Sequence, residues 1–343
     1  MKKIKFLLPL FALTLTFFSC SNDDDPGGGG GNLPPTILAT VYATSNTSNN
    51  IGIYNFTPDG VLLNSVSSGS NDNEGIYYDE DADELVVNSR AQSVINTYSN
   101  VENIANGGTL NLFLSSNGVL ESPRDIAVKD NVYIVSDNAD ADGDPNTDDG
   151  RFFVFVRDAS GYTLRNIVTV NYAVWGIQLI GNDLYTVVDK TADVAVLKNF
   201  ISTYTTDVTA TPDKRITIEG ITRTHGIAED GGFVILTDIG DAANESDGGF
   251  NFINGFVTKF DATPDGGTLT FAGNQIRVSG SFTQLGNPVS VEYESTSQTV
   301  FIAERANDGG KILFFSEIGA GGNLTPTLSS PFAGASSLYF IDR

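Results

Sequence analysis

Between residues 34 and 343 the apolar positions fall in short runs that alternate with polar ones, and the runs are separated by Gly, Asn and Asp. A period of two over so few residues is that of a half-buried strand, and the punctuation is that of turns. No long stretch carries helical periodicity, so the pattern predicts an all-β chain.

The runs repeat in a fixed order. Short segments at 74–78, 124–128, 175–179, 225–229 and 288–292 each precede a turn and an alternating apolar strand, at 85–88, 132–135, 184–187, 233–236 and 300–303. With Ile76, Ile126, Ile177, Ile227 and Ser290 as markers, the steps are 50, 51, 50 and 63 residues, and the long step is assigned to an inserted loop, Asp238 to Asn251. Third strands at 94–98, 152–156, 194–197, 255–260 and 312–315 make each unit a four-stranded antiparallel meander. A period of this length is the mark of a repeat architecture.

The chain ends complete the count. Residues 37–42 and 51–54 look like second and third strands without a first, and 337–341 looks like a lone first strand. Pairing them closes a ring of six units and leaves few exposed edges, which predicts a six-bladed β-propeller whose C-terminal strand completes the first blade. The blade pattern at 123–155, Pro-Arg-Asp-Ile-Ala-Val, then Val-Tyr-Ile-Val-Ser-Asp, then Arg-Phe-Phe-Val-Phe, resembles NHL-type repeats. It also resembles the wider six-bladed superfamily with TolB-like and gluconolactonase-like members. That resemblance is one of spacing and residue class over most of 34–343, so it implies a fold and carries little about function.

Composition places the remaining signals. The first strand of a propeller blade lines the central channel, and the residue before each Gly-Ile turn points to one mouth of it. That column reads Glu74, Arg124, Trp175, His225, Pro288 and Ser336, and it holds the chain's one Trp and one His. A lone Trp or His is more often structural than functional, yet polar and aromatic groups converging at equivalent repeat positions define a pocket. Second strands end in Arg90, Asp137, Asp189, Asp238 and Arg305. An Asp there can simply accept backbone N–H groups of the next turn, whereas a mixed ring of carboxylates and guanidiniums suits a small polar ligand.

The loop after Asp137 carries Asn138, Asp140, Asp142, Gly143, Asp144, Asn146 and Asp149. Oxygen donors at positions 1, 3 and 5 with Gly at 6 and a carboxylate at 12 resemble an EF-hand-type calcium loop and thrombospondin type 3 and dockerin repeats, which implies a Ca²⁺ site on Asn138, Asp140, Asp142, Asp144, Asn146 and Asp149. Asn at the first position and Asp at the last depart from the pattern, and a solvated acidic loop is the alternative.

At the start of the chain, Lys2, Lys3 and Lys5 precede an apolar run from Phe6 to Phe18 and then Ser19 and Cys20, the layout of a secretory signal over 1–19. Cys20 is the only cysteine, which excludes an intrachain disulfide, and it resembles a lipobox cysteine. The resemblance implies lipidation there. Asp23, Asp24 and Asp25 and the glycines at 27–31 form a tether over 20–33 similar to the surface-export signal of Bacteroidetes lipoproteins, which implies an outer-membrane, cell-surface location. Loss of the three lysines takes the formal charge from −23 to −26, so nucleic acid is excluded as a partner.

Gluconolactonase-like propellers hold a catalytic metal with Glu, Asn, Asn and Asp from first strands. Glu74 matches that glutamate, but Arg124, Trp175 and His225 cannot replace oxygen ligands. The expectation is therefore a binding propeller for a small polar ligand, a glycan or a protein. A hydrolase of unusual site composition and a scaffold are the alternatives.

Overall fold

In the computed structural model, which describes residues 38–343, the chain forms six small sheets of mostly antiparallel strands, a six-bladed propeller. The predicted signal, Cys20 and the tether lie outside the described residues. No helix among the described residues is long and apolar enough to cross a membrane.

Closure follows the expected route. Ala335–Asp342 is the inner strand of blade 1 and pairs antiparallel with Ala39–Ser45, with Val41 opposite Phe340. The inner strands of blades 2 to 6 are Asn73–Asp79, Pro123–Lys129, Val174–Ile180, Ile227–Asp230 and Pro288–Glu294. Each second strand is apolar on both faces, as in Leu85, Val86 and Val87, because each blade is covered by a neighbour on both sides. The core is accordingly divided into interblade layers, one of which packs Trp175, Tyr185, Val187 and Val196 of blade 4 on Ile227, Val234 and Leu236 of blade 5.

Two expectations are corrected. The run at 255–260 is not a strand: Phe256–Ala262 is an α-helix, and the third strand of blade 5 is Gly249–Asn254. Phe256 and Phe260 satisfy both a strand period and the i, i+4 period of a helix; both are fully buried, and their edges pack on Tyr185 at 5.7 and 5.3 Å. The long repeat step therefore comes from this helix and the segment after it, since the acidic loop 239–248 is shorter than its blade 3 counterpart at 138–149.

The second correction concerns the column in blade 6. The inner strand is bulged between Pro288 and Ser290, as it is between Glu74 and Ile76 and between Pro123 and Asp125. A bulge puts two residues opposite one and turns a side chain toward a new direction. Matching the bulges places Val289, not Pro288, beside Glu74, Arg124, Trp175 and His225, with Ser336 in blade 1.

Candidate functional site

The inner strands present three successive rings to the channel. The mouth ring is Glu74, Arg124, Trp175, His225, Val289 and Ser336; below it come Gly75, Asp125, Gly176, Gly226, Ser290 and Ser337; and below that Tyr77, Ala127, Gln178, Ala228, Glu292 and Tyr339. The middle ring is small because the blades touch there. A Cβ on Gly176 would lie 2.4 Å from the carbonyl oxygen of His225, whose partner is the Gly176 N–H at 3.0 Å.

In the mouth ring four predicted residues make one continuous stack. The Arg124 guanidinium donates to Glu74 Oε1 at 3.2 Å and lies 4.2 Å above the Trp175 ring centre. On its other face Trp175 stacks on His225, with centroids 3.7 Å apart and planes 5° from parallel. His225 Nε2 lies 2.9 Å from Asp189 Oδ1, and Arg223 grips the same carboxylate at 2.7 and 3.1 Å. Trp175 and His225 are thereby buried, forming the roof of the channel rather than a surface open to a ligand.

The electrostatics fix the protonation states. Burial is the largest influence on His225 and outweighs its bond to Asp189, so its pKa is pushed down to about 4 and the imidazole is neutral at pH 7. Burial opposes ionisation of Asp189 too, but hydrogen bonds from His225 and Arg223 together outweigh it and hold the carboxylate below the usual range. His225 therefore donates from Nε2, and its buried Nδ1 has no hydrogen-bond partner among the described residues.

Glu74 is the focus of positive charge. Besides Arg124, Arg90 lies 3.6 Å and Arg305 4.0 Å from the same Oε1. Burial still dominates, and the Glu74 pKa is raised despite the three guanidiniums. Arg90 also meets Asp72 at 3.1 Å, and its buried Nε has no acceptor among the described residues. The Arg305 side chain makes no hydrogen bond among the described residues and stands 5.7 Å from the Trp175 ring. A guanidinium carries five N–H donors in a planar fork, so this mouth holds more donor capacity than its own carboxylates use.

The second predicted column resolves into two registers. The same backbone bond recurs at Arg90, Asn138, Asp189 and Arg305, each donating its N–H across the inner strand to Asp72, Ser122, Ala173 and Asn287. These are the mouth positions. Asp137 and Asp238 sit one residue earlier, where Pro123 opposes Asp137 as Pro288 opposes Glu304. There the carboxylates bind turns: Asp137 accepts from the N–H groups of Glu121 and Ser122 at 2.8 Å, Asp238 from those of Thr222 and Arg223 at 3.0 Å, and Glu304 from those of Gly286 and Asn287. Matching aspartates by identity merged two positions with different duties. Arg223 and Asp72 were missed because neither belongs to a repeated motif.

In the acidic loop, carboxylate oxygens of Asp140, Asp142 and Asp149 gather within 4.8 Å of one another. Asn138 is turned away and accepts from Arg124 Nε at 2.9 Å, which makes it part of the mouth. Asp144 accepts from the backbone and side chain of Asn146 at 3.1 and 2.7 Å, pairing those two predicted donors with each other.

No protein-family model matches the chain, and no curated protein matches it. Solved structures do. A chain of a nidogen/laminin complex is 10% identical with a TM-score of 0.57, covering 88% of this chain and 98% of its own. A candidate 6-phosphogluconolactonase from Bacteroides fragilis is 10% identical with a TM-score of 0.56, over 89% of this chain and 98% of its own. Another from Bacteroides uniformis is 12% identical with a TM-score of 0.54, over 89% and 99%. At such identities the likeness is one of fold: this chain is a β-propeller.

Proposed function

We propose that the protein is a ligand-binding propeller whose mouth captures a small anion, a carboxylate or a phosphate, on Arg90, Arg124 and Arg305. The observation that carries this reading is the convergence of three guanidiniums on one Glu74 oxygen while the Arg305 guanidinium has no hydrogen bond among the described residues. Displacing water from donors already held in place is a cheap way to bind an anion, because little side-chain order remains to be lost. The overall charge of −23 repels anions at long range, so selectivity at this mouth is short-range and geometric.

In this reading Cys20 carries the lipid that holds the domain on the outer face of an outer membrane, and calcium at Asp140, Asp142 and Asp149 orders the loop beside the mouth. Titration calorimetry with citrate and with inorganic phosphate tests the mouth. Saturable binding weakened about tenfold by Arg305→Ala supports it, and no binding of either anion refutes it.

The two candidate lactonases that share the fold motivate a hydrolase alternative, since a phosphorylated sugar lactone would meet the same arginines. Lactone turnover that disappears in Glu74→Gln is its signature. The buried, stacked state of His225 argues against it, because a general base must reach the proton it removes.

A further inference from the structure

Beneath the stacked roof, the middle and lower rings line a cavity of about 220 Å³, well above the ~10–15 Å³ that one water molecule needs on the same measure. Its walls are unlike the mouth. Tyr339 and Tyr77 meet edge to face with ring centres 5.1 Å apart, Gln178 and Glu292 line the same space, and Ala127 leaves room there. Asp125 hangs into the same space from the ring above, while Glu229 lines it from blade 5.

Glu292 is the anomaly. Its carboxylate faces the cavity and makes no hydrogen bond or ion pair among the described residues. The charged groups that act on it are Asp125 and Asp230, both acidic, and with burial they raise its pKa well above the ordinary value. Asp125 is in the same position: burial takes its pKa to about 7, Glu74 pushes the same way, and two backbone N–H bonds, from Ile126 and Ile177, only partly offset this. Arg124 reaches the top of the same cavity, but the mouth arginines pair with Glu74 and Asp189, and none makes an ion pair with Asp125 or Glu292 among the described residues. A carboxyl that lines a cavity without a cation takes up a proton more readily, and a bound ligand that supplies the positive charge restores its ionised form.

We propose that the lower ring is a second binding site, for the head of an organic ammonium held by the Glu292 carboxylate against the rings of Tyr77 and Tyr339. A carboxylate beside aromatic faces is the chemistry that recognises such cations. A hard metal ion fits less well. Calcium takes six to eight oxygen ligands, whereas both Asp125 oxygens already accept backbone N–H groups, one Glu229 oxygen accepts from Gly232, and the hydroxyls of Ser290 and Ser337 accept from Leu338 and Gly75.

The test is calorimetric titration of the full chain at pH 8 and fixed ionic strength with n-butylammonium chloride and, separately, with calcium chloride. The expected result is saturable butylammonium binding, weakened at least about tenfold by Glu292→Gln and unchanged by Glu317→Gln, which removes the same charge from the exposed surface. Absence of saturable binding, equal binding by Glu292→Gln, or calcium binding in place of the amine overturns the proposal. Should Glu292→Gln fail to fold, saturation-transfer NMR on the unmutated chain decides it. Transfer from tyrosine ring protons to the butyl group supports the site, and its absence removes it.

Discussion

The two ends of one channel carry opposite solutions to the same problem. At the mouth, three arginines share Glu74 and two aromatic rings seal the axis; below, Asp125 in the middle ring and Glu292 in the lower one face a cavity in which neither has an ion pair among the described residues. Both ends are built from equivalent positions of the same repeat, so the backbone is not the source of the difference. The repeat supplies six addresses per ring, and the side chains placed there decide whether a ring is a plug, a basic site or an acidic one.

The largest effect that bears on this contrast is expected for Trp175→Ala. It removes the slab between Arg124 and His225 and should cost about 3–5 kcal/mol, read as a lowered urea midpoint, while opening the cavity from above. A cost below about 1 kcal/mol would mean that the stack is not what closes the mouth.

Second comes the pH dependence of the acidic end. Asp125 has a folded pKa of about 7 against an ordinary 3.8, so the folded state binds the extra proton between those values. Its contribution is fully present below about pH 4 and is lost as pH rises to about 7, and Glu292 and Glu74, also raised, act in the same direction. Allowing for solvent in the channel, roughly 2 kcal/mol should separate pH 5 from pH 8 in Asp125 alone. Denaturation of Asp125→Asn at both values checks it, and an unchanged pH slope would show that Asp125 is ionised throughout.

Third, Arg305→Ala should weaken anion binding about tenfold, or about 1.4 kcal/mol, with stability nearly unchanged because the Arg305 side chain makes no hydrogen bond among the described residues and its contact with Glu74 is a long one, 4.0 Å. Destabilisation without loss of binding would turn the mouth into a structural ion cluster and leave the lower ring as the functional end.

The smallest effect concerns the loop at the rim. Asp142→Ala should leave stability within about 0.5 kcal/mol in chelator and abolish any calcium-dependent rise in melting temperature. A calcium response that survives the substitution would place the ion elsewhere.

Much of this was readable from the chain. Alternating runs and a period of about fifty residues determined the six blades, the C-terminal closure, and the column in which Glu74, Arg124, Trp175 and His225 stand, because strand periodicity and repeat spacing are local properties of sequence. Where two periods coincide, as at Phe256 and Phe260, packing on Tyr185 chose the helix. Only the tertiary structure decided that Asp137 anchors a turn while Asp189 faces the mouth, since one residue of register separates them and both read as Asp after a strand. It alone brought Arg124 of blade 3 and Arg305 of blade 6 to Glu74 of blade 2 and left Glu292 without a counter-charge among the described residues. Those outcomes depend on distances between blades far apart in sequence, and Coulomb energy and desolvation are set by distance and burial, not by spacing along the chain.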